Sequence, residues 1–250
     1  MIYATWCISN NVGDVLTHWL IKKISGESPV YVERGSYCQH HICCGSILNW
    51  SNKNSIVWGA GIANANDEIA KPFSVHAVRG PISNARLRAV TGMSTSVLGD
   101  PALLLKRFYA PVVEKKYDVG IIPHYVDQQI ISQSYLAYNQ VVKVIDVFGS
   151  VEQFIEDVCS CRSILSSSLH GLIIATAYEI PSRWFEASMG VGGDTTKFHD
   201  FFLSVGNTPY YPLKLYDFQW QSPEDLRKLV GEFRAKCDLS TLLNSCPFKK

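Results

Sequence analysis

The sequence of 250 residues lacks the features of several broad classes of protein. No uninterrupted apolar run approaches the roughly 18 to 20 residues of a membrane-spanning helix. Residues 1–6 have neither the charged start nor the long apolar core of a signal peptide. No run of Lys and Arg exceeds two residues and the formal net charge is +1, which argues against a nucleic-acid partner. We therefore expect a soluble, cytoplasmic protein that binds no nucleic acid.

Eight cysteines are present, but their spacing lacks the C-x-x-C pairs that are typical of zinc sites and redox-active dithiols. Without an export signal the thiols should remain reduced. The one cluster that resembles a ligand set is His40 and His41 near Cys38 and Cys43. Adjacent histidines on a strand point to opposite faces, which suits a shared metal ion poorly. We therefore predict neither disulfides nor a metal site.

The first part of the chain contains four short apolar runs, each ending in glycine or in a turn with glycine. They occupy residues 42–46, 56–61, 75–81 and 97–101. Continuous apolar runs of this length favour buried parallel strands, and residues 82–90 have the pattern of a helix that Pro81 opens. An open parallel sheet binds ligands beyond the carboxyl ends of its strands. The residues expected there are Gly59, Gly61, Arg79 and Asp100.

A turn-forming cluster at residues 10–14 precedes an amphipathic pattern that runs to Ile24 and is ended by Gly26. Asp14 would lie at or near the N-cap of this helix. Its carboxylate would either cap the helix, which is worth about 1 kcal/mol, or be displayed at the mouth of a cleft, where α/β proteins place their chemistry. The sequence leaves both interpretations open.

The character of the sequence changes between residues 105 and 117, where charged residues and proline indicate an exposed connector. A second alternation follows, with strands at residues 117–123, 141–147, 163–167 and 183–185 and helices at residues 132–139, 151–159 and 171–178. We predict an α/β fold with an N-terminal domain at residues 1–110, a C-terminal domain at residues 117–215 and a helical tail at residues 216–250. The two domains would face one another across a cleft, the usual place for a small-molecule site.

The turn between a buried strand and an apolar helix at residues 166–171 reads Ser-Ser-Ser-Leu-His-Gly. N–H groups at the start of a helix have no partner within the helix, and the helix dipole favours anions there. The turn is therefore a candidate anion site, and an N-cap serine beside a packed histidine explains it equally well. The polar segment at residues 190–202 is either an ordinary loop or a means of returning a cation and a carboxylate to the cleft.

Several short motifs occur in an order that spans most of the chain. They are Asn11-Val12-Gly13-Asp14, Val57-Trp58-Gly59-Ala60-Gly61-Ile62, Val78-Arg79-Gly80-Pro81, Gly99-Asp100-Pro101-Ala102-Leu103-Leu104, Ile122-Pro123-His124, Ser166-Ser167-Ser168-Leu169-His170-Gly171, and Asp194 with Lys197-Phe198 and Asp200. Together they resemble the polysaccharide pyruvyltransferases, and among these the short bacterial exopolysaccharide enzymes of the xanthan ketal-pyruvate transferase type. The resemblance implies two Rossmann-like domains arranged like a GT-B glycosyltransferase. It also implies transfer of pyruvate from phosphoenolpyruvate to two hydroxyls of a sugar, giving a cyclic ketal and phosphate without a cofactor.

That chemistry suggests which residues would hold the donor. Arg79 is the candidate clamp for its carboxylate or phosphate, and Lys197 would neutralise the leaving phosphate. The helix start that would bind the phosphate comprises Ser168, Leu169, His170 and Gly171.

The same chemistry needs an acid for the methylene carbon and a base for the sugar hydroxyls. His170 is the candidate acid; Asp14 is the first candidate for the base and Asp100 the second. The other residues expected at the cleft are Asn11, Gly13, Gly59, Gly61, His124 and Asp200.

Two other functions fit the predicted architecture. A glycosyltransferase that uses a sugar nucleotide could share the fold, and a non-catalytic glycan-binding or scaffolding protein could share the cleft. The sequence does not identify the glycan acceptor. If the acceptor is linked to a lipid, as in similar enzymes, we expect the protein to contact the inner face of the membrane without spanning it.

Overall fold

In the computed structural model, the described residues are 1–9, 11–134, 140–188, 193–214, 223–230 and 238–249. They form two β-sheets of five parallel strands each, with helices between the strands. The predicted α/β class is therefore confirmed. Among the helices that the structure describes, none combines the length and the apolar character that a bilayer crossing needs.

The first sheet is built from residues 1–108, which we call the N-terminal unit. In chain order its elements are β1 (Tyr3–Thr5), α1 (Val12–Ser25), β2 (Val30–Tyr31), β3 (His40–Ile42), a 3₁₀ turn (Leu48–Trp50), β4 (Ser55–Trp58), β5 (Ser74–Ala77), α2 (Pro81–Thr91), a second 3₁₀ turn (Pro101–Leu104) and α3 (Leu105–Phe108). The strand order is β2-β1-β3-β4-β5. Ile42 pairs with Val57 at the centre of this sheet, and both side chains are fully buried, as expected for a sheet that is covered on both faces.

The second sheet is built from residues 117–214, which we call the C-terminal unit. Its elements are β6 (Tyr117–Ile122), a 3₁₀ turn (Tyr125–Asp127), α4 (Gln128–Ser134), β7 (Val142–Val144), α5 (Val151–Cys159), β8 (Cys161–Ser166), α6 (Leu169–Ala177), β9 (Ser182–Glu186), α7 (Thr196–Ser204) and β10 (Leu213–Lys214). The strand order is β10-β9-β8-β6-β7. In the described part of the tail, two helices follow, α8 (Pro223–Leu229) and α9 (Leu239–Asn244).

Most predicted elements are present, but some of their bounds were wrong. The run at residues 42–46 is a strand only as far as Ile42, and the run at residues 97–101 contributes a single bridge, between Leu98 and Val78. Helix α6 begins at Leu169 rather than at Gly171. Strands β1 and β2 and helix α9 were not predicted. Residues 135–139, which complete the predicted helix at 132–139, and residues 231–237 of the predicted helical tail lie outside the described residues.

The two units are joined by hydrogen bonds and by the tail. The N–H of Val12, at the start of α1, donates to the carbonyl of Val147 after β7 over 2.8 Å. Helix α9 returns to the N-terminal unit, where the indole Nε1 of Trp58 donates to the carbonyl of Leu242 over 3.1 Å. Phe248 then packs edge-on against the Trp58 ring. These contacts hold the two sheets so that loops from both line one cavity.

Candidate active site

A cavity of about 210 Å³ lies between the two units. Its walls come from segments that follow the carboxyl ends of β1, β3, β6 and β8, together with the starts of α1 and α7. The lining residues are Cys7, Asn11, Asp14, Cys44, Gly45, Ser46, Ile47, Trp50, His124, Tyr125, Ser168, Leu169, His170 and Lys197. The carboxyl ends of parallel strands are where open α/β sheets bind their ligands.

The start of α1 places the carboxylate of Asp14 at this cavity. Asn11 is the N-cap, and its side-chain oxygen accepts a hydrogen bond from the N–H of Gly13 over 2.8 Å. Because Asn11 caps the helix, the interpretation of Asp14 as the cap is wrong. Asp14 instead lines the cavity, and its Oδ2 accepts a hydrogen bond from the hydroxyl of Ser9 over 2.6 Å.

The two helix starts touch one another through Gly13 and His170. A Cβ atom on Gly13 would lie 2.1 Å from Nδ1 of His170 and 2.5 Å from its Cγ. Glycine is therefore required at position 13 so that the imidazole of the other unit can approach the backbone of α1. Gly13 shapes the site without lining the cavity itself.

The three serines of the turn before α6 differ in their hydrogen bonds. The hydroxyl of Ser166 donates to backbone carbonyls, and that of Ser167 accepts from the N–H of His124 over 2.7 Å. Ser168 occupies the N-cap position without a side-chain capping bond, and it lines the cavity with Leu169. The structure therefore offers an uncapped helix start to the cavity, which favours an anion there.

Three basic side chains of the C-terminal unit, His124, His170 and Lys197, reach the cavity. Burial lowers the pKa of each of them, and the positive charge of Lys197 lowers the pKa of both histidines further. Within the described residues, Nδ1 of His124 and Nε2 of His170 are buried without a hydrogen-bond partner. An anion in the cavity would offset the burial cost of these groups, because a nearby opposite charge favours their protonated forms.

Asp100 is almost fully buried, interacts electrostatically with His170 and does not line the cavity. Its Oδ1 accepts from the N–H of Ala102 over 2.9 Å, whereas its Oδ2 has no partner among the described residues. Burial raises the pKa of Asp100, and His170 is the charged group that opposes this shift most strongly. Because Asp100 is almost fully buried and does not line the cavity, the geometry disfavours its expected role as the second base.

Arg79 and Asp200 form a buried ion pair between the units. Nε of Arg79 donates to Oδ2 of Asp200 over 3.0 Å, and both side chains are fully buried. The rest of the guanidinium donates to the carbonyl of Ile62 over 2.6 Å and the hydroxyl of Ser46 over 2.8 Å. Asp200 also accepts from the N–H and the hydroxyl of Ser83. Neither charged side chain lines the cavity, so the geometry disfavours the expected donor clamp at Arg79 and the cleft position of Asp200.

The remaining glycines of the motifs serve packing rather than ligand contact. A Cβ on Gly61 would lie 2.4 Å from Cζ of Arg79, and one on Gly171 would lie 2.3 Å from Oγ of Ser166. Gly59 has φ of 92° and lies against the ring of Pro101. Gly59 and Gly61 are both buried and do not line the cavity, so the geometry disfavours their expected position at the cleft.

The structure brings seven of the predicted residues to the cavity and adds others that the sequence did not indicate. The predicted ones are Asn11, Asp14, His124, Ser168, Leu169, His170 and Lys197. The additional ones are Cys7, Cys44, Gly45, Ser46, Ile47, Trp50 and Tyr125. The turn at Gly45 and Ser46 was visible as the end of an apolar run, and the carboxyl-end rule applied to that run would have found it.

The histidines that first resembled metal ligands have other partners. His40 contacts the carbonyl of Cys38 through Nδ1 and the hydroxyl of Ser55 through Nε2, at 2.9 and 3.0 Å. His41 contacts the carbonyl of Tyr3. In the part of the chain that the structure describes, no group of three or more His, Cys, Asp or Glu side chains is placed to hold a metal ion.

Comparison with known proteins gives the same family as the motifs. Residues 11–188 match the profile of the family described as polysaccharide pyruvyl transferase. The chain is also similar to the uncharacterized protein L143 of Acanthamoeba polyphaga mimivirus, with 32% identity over 214 residues that cover 82% of this chain and 74% of that protein. No solved structure matches the chain. Since the family profile covers most of the chain, including the starts of α1 and α6 at the cavity, this protein belongs to the polysaccharide pyruvyl transferase family.

Proposed function

We propose that this protein transfers pyruvate from phosphoenolpyruvate to two hydroxyls of a sugar in a polysaccharide or its oligosaccharide precursor, forming a cyclic ketal and releasing phosphate. The observation that carries the proposal is the composition of the cavity. Among the described residues, the cavity is lined by an uncapped helix start, three basic side chains with lowered pKa values and one carboxylate. This is the set of groups that a small dianion and a hydroxyl nucleophile require.

The donor fits the basic side of the cavity. Phosphoenolpyruvate carries a phosphate of about −1.5 to −2 charges and a carboxylate. Lys197, His124 and the first N–H groups of α6 supply positive charge and donors for these groups. Each desolvated cation gains more from an anion in the cavity than it would in water, because charges interact more strongly at low dielectric.

In this mechanism His170 acts as the general acid and Asp14 as the general base. His170 gives a proton to the methylene carbon of the donor, and the carbon that bears the phosphate becomes an oxocarbenium-like centre. Asp14 accepts the proton of the first sugar hydroxyl as its oxygen attacks that centre. The C–O bond to phosphate then breaks, and the phosphate leaves with the proton that Asp14 accepted. The second hydroxyl attacks the same carbon and the ring closes, while the proton of this hydroxyl passes to His170, which gave up its own proton in the first step. Asp100 stabilises the protonated form of His170 before the first step.

The same proposal extends to the arrangement and surroundings of the protein. A GT-B-like arrangement of the two units accounts for a cavity that both of them line. A lipid-linked acceptor would bring the protein to the cytoplasmic face of a membrane. No cofactor enters the reaction, because donor and acceptor supply every atom of the products.

The test measures phosphate release from phosphoenolpyruvate in the presence of a panel of glycans. Binding of the donor alone is followed by calorimetry and thermal shift, with UDP-sugars as the competing ligand class. Lys197→Met should raise the dissociation constant of phosphoenolpyruvate about tenfold or more, because a charged hydrogen bond contributes about 1.5 to 3 kcal/mol. Lys71→Met, at an exposed lysine away from the cavity, is the matched control and should leave binding unchanged.

Two outcomes would contradict the proposal. Stabilisation by UDP-sugars and not by phosphoenolpyruvate would indicate a glycosyltransferase. If neither donor binds and a glycan does, the chain is a glycan-binding protein.

A further inference from the structure

Helix α7 belongs to the C-terminal unit, yet two aspartates attach it to the N-terminal unit. In the chain it lies between β9 and β10 of the second sheet. Its second turn carries Asp200, the buried partner of Arg79. Just before its first turn, Oδ2 of Asp194 accepts a hydrogen bond from the N–H of Ala65 over 3.0 Å, across 129 positions of sequence. The start of α7 is therefore held by both units.

Asp194 sets the path by which the chain enters α7. Its Oδ1 accepts from the N–H of Thr196, the first residue of the helix, over 3.1 Å, while its Oδ2 contacts Ala65. Between Asp194 and the helix, Thr195 has φ of 72°, a left-handed conformation that costs a β-branched residue free energy. Such a conformation persists where surrounding contacts enforce it. The two hydrogen bonds of Asp194 are contacts of this kind.

The turn that contains Ala65 is fixed within the N-terminal unit. Oδ2 of Asp67 accepts from the N–H groups of Ala63 and Asn64 over 2.7 and 3.2 Å. Nε of Arg86, in α2, donates to the carbonyl of Asp67 over 2.9 Å. The turn is therefore a preformed partner for the start of α7.

Lys197 lies in the first turn of α7, between Asp194 and Asp200, and lines the cavity. The chain passes beside its side chain at Gly193, where a Cβ would lie 3.9 Å from Cε of Lys197 and 3.4 Å from the carbonyl oxygen of Ala63. The position of the ammonium group thus depends on where α7 begins. Within the described residues Asp194 does not itself line the cavity, so it would act on a ligand there through Lys197.

We propose that Asp194 is a positioning residue: by fixing the start of α7 against the turn at residues 63–67, it holds the ammonium group of Lys197 at the anion position of the cavity. The inference rests on the proposed function only for the identity of that anion, the phosphate of the donor. It also implies a reciprocal effect. An anion bound at Lys197 stabilises the contact between Asp194 and Ala65 by the same free energy by which this contact strengthens anion binding.

The experiment follows the anion and the contact separately. The probes are inorganic phosphate and phosphoenolpyruvate, with Kd taken from NMR titration and the exchange rate of the Ala65 amide proton measured by NMR. Asp194 is exposed, so alanine there leaves the core intact. Asp194→Ala should raise the Kd of both probes and accelerate exchange at Ala65, each about three- to tenfold, as expected for one lost hydrogen bond. Saturating phosphate should slow exchange at Ala65 in the unaltered protein.

Two further variants separate positioning from a general loss of stability. In a Lys197→Met background, Asp194→Ala should change each Kd by less than about twofold, because the residue that it positions is absent. Asp238→Ala is the matched control, since Oδ1 of Asp238 accepts from the N–H groups of Ser240 and Thr241 at the start of α9. It removes a comparable cap from another helix and should leave both Kd values unchanged.

An unchanged Kd in Asp194→Ala, the same rise with and without Lys197, or an equal rise in Asp238→Ala would overturn the inference. The phosphate series keeps it separate from the proposed function. If phosphate binds and phosphoenolpyruvate does not, pyruvyl transfer from this donor is overturned, and a rise of the phosphate Kd in Asp194→Ala still supports the positioning role. If phosphoenolpyruvate binds equally well to Asp194→Ala, the reverse holds. If neither anion binds, both are overturned.

Discussion

Replacing Gly13 by alanine tests the contact between the two units directly. Gly13 lies in the first turn of α1 and has no positive φ, so in a free helix alanine would stabilise the chain by up to about 1 kcal/mol. In this protein the added methyl would lie 2.1 Å from Nδ1 of His170. Either the imidazole or α1 must move, and overpacking of this kind costs about 1 to 3 kcal/mol. We therefore expect a net loss of stability where helix propensity alone predicts a gain.

The measurement is urea unfolding followed by tryptophan fluorescence. Gly149→Ala is the matched control, because a Cβ there meets no atom within 4 Å, and its stability should change by less than about 0.5 kcal/mol. His170→Ala and the double variant Gly13→Ala/His170→Ala complete a double-mutant cycle. Without the imidazole, Gly13→Ala should become neutral or stabilising, and the coupling between the two sites should be about 1 to 3 kcal/mol. A loss of stability that is the same with and without His170 would refute the steric argument.

Three further predictions concern the ion pair, the histidines and the tail. Arg79→Ala and Asp200→Ala each leave a buried charge without its partner, and each should lower the free energy of unfolding by about 3 to 5 kcal/mol in a denaturant titration. The double variant should lose less than the sum of the two. Additive losses would show that the two residues do not stabilise one another. Burial lowers the pKa of His124 and His170, so both are mainly neutral at pH 7. Bound phosphoenolpyruvate should raise both pKa values. Binding should therefore take up protons and become weaker as the pH rises. Calorimetry in buffers of different ionisation enthalpy measures this uptake, and proton release would contradict it. Leu242→Ala should cost about 2 to 5 kcal/mol as a buried large-to-small change, and a loss below about 1 kcal/mol would show that α9 does not contribute to the core.

The sequence predicted the cavity better than it predicted the buried charges beside it. Asp14, His170 and Lys197 follow strand ends or begin helices, and local pattern together with the carboxyl-end rule places such residues. Arg79 also follows a strand, and nothing local separates it from them. Its partner, Asp200, is 121 positions away, and pattern alone cannot determine which residues at that separation meet.

Local sequence pattern, which does not show which distant segments meet, also explains why some elements of the fold were not predicted. Helix α5 was predicted with its observed bounds because its apolar face repeats at helical spacing and Ser150 caps it. Strand β2 has two residues and neither is buried, so it carries no apolar run. Helix α9 has six residues and one buried side chain, too little for a periodic signal. Both elements form because the rest of the molecule provides partners for them.

The return of the tail to the first sheet has a consequence for biosynthesis. Trp58 is fully buried, and the carbonyl to which it donates belongs to Leu242, 184 residues later in the chain. At translation rates of about 5 to 20 residues per second, this partner emerges roughly 10 to 40 s after Trp58 itself. The N-terminal unit therefore spends that interval with part of its core uncovered. We therefore expect chaperones to bind a nascent chain of this protein until α9 has left the ribosome.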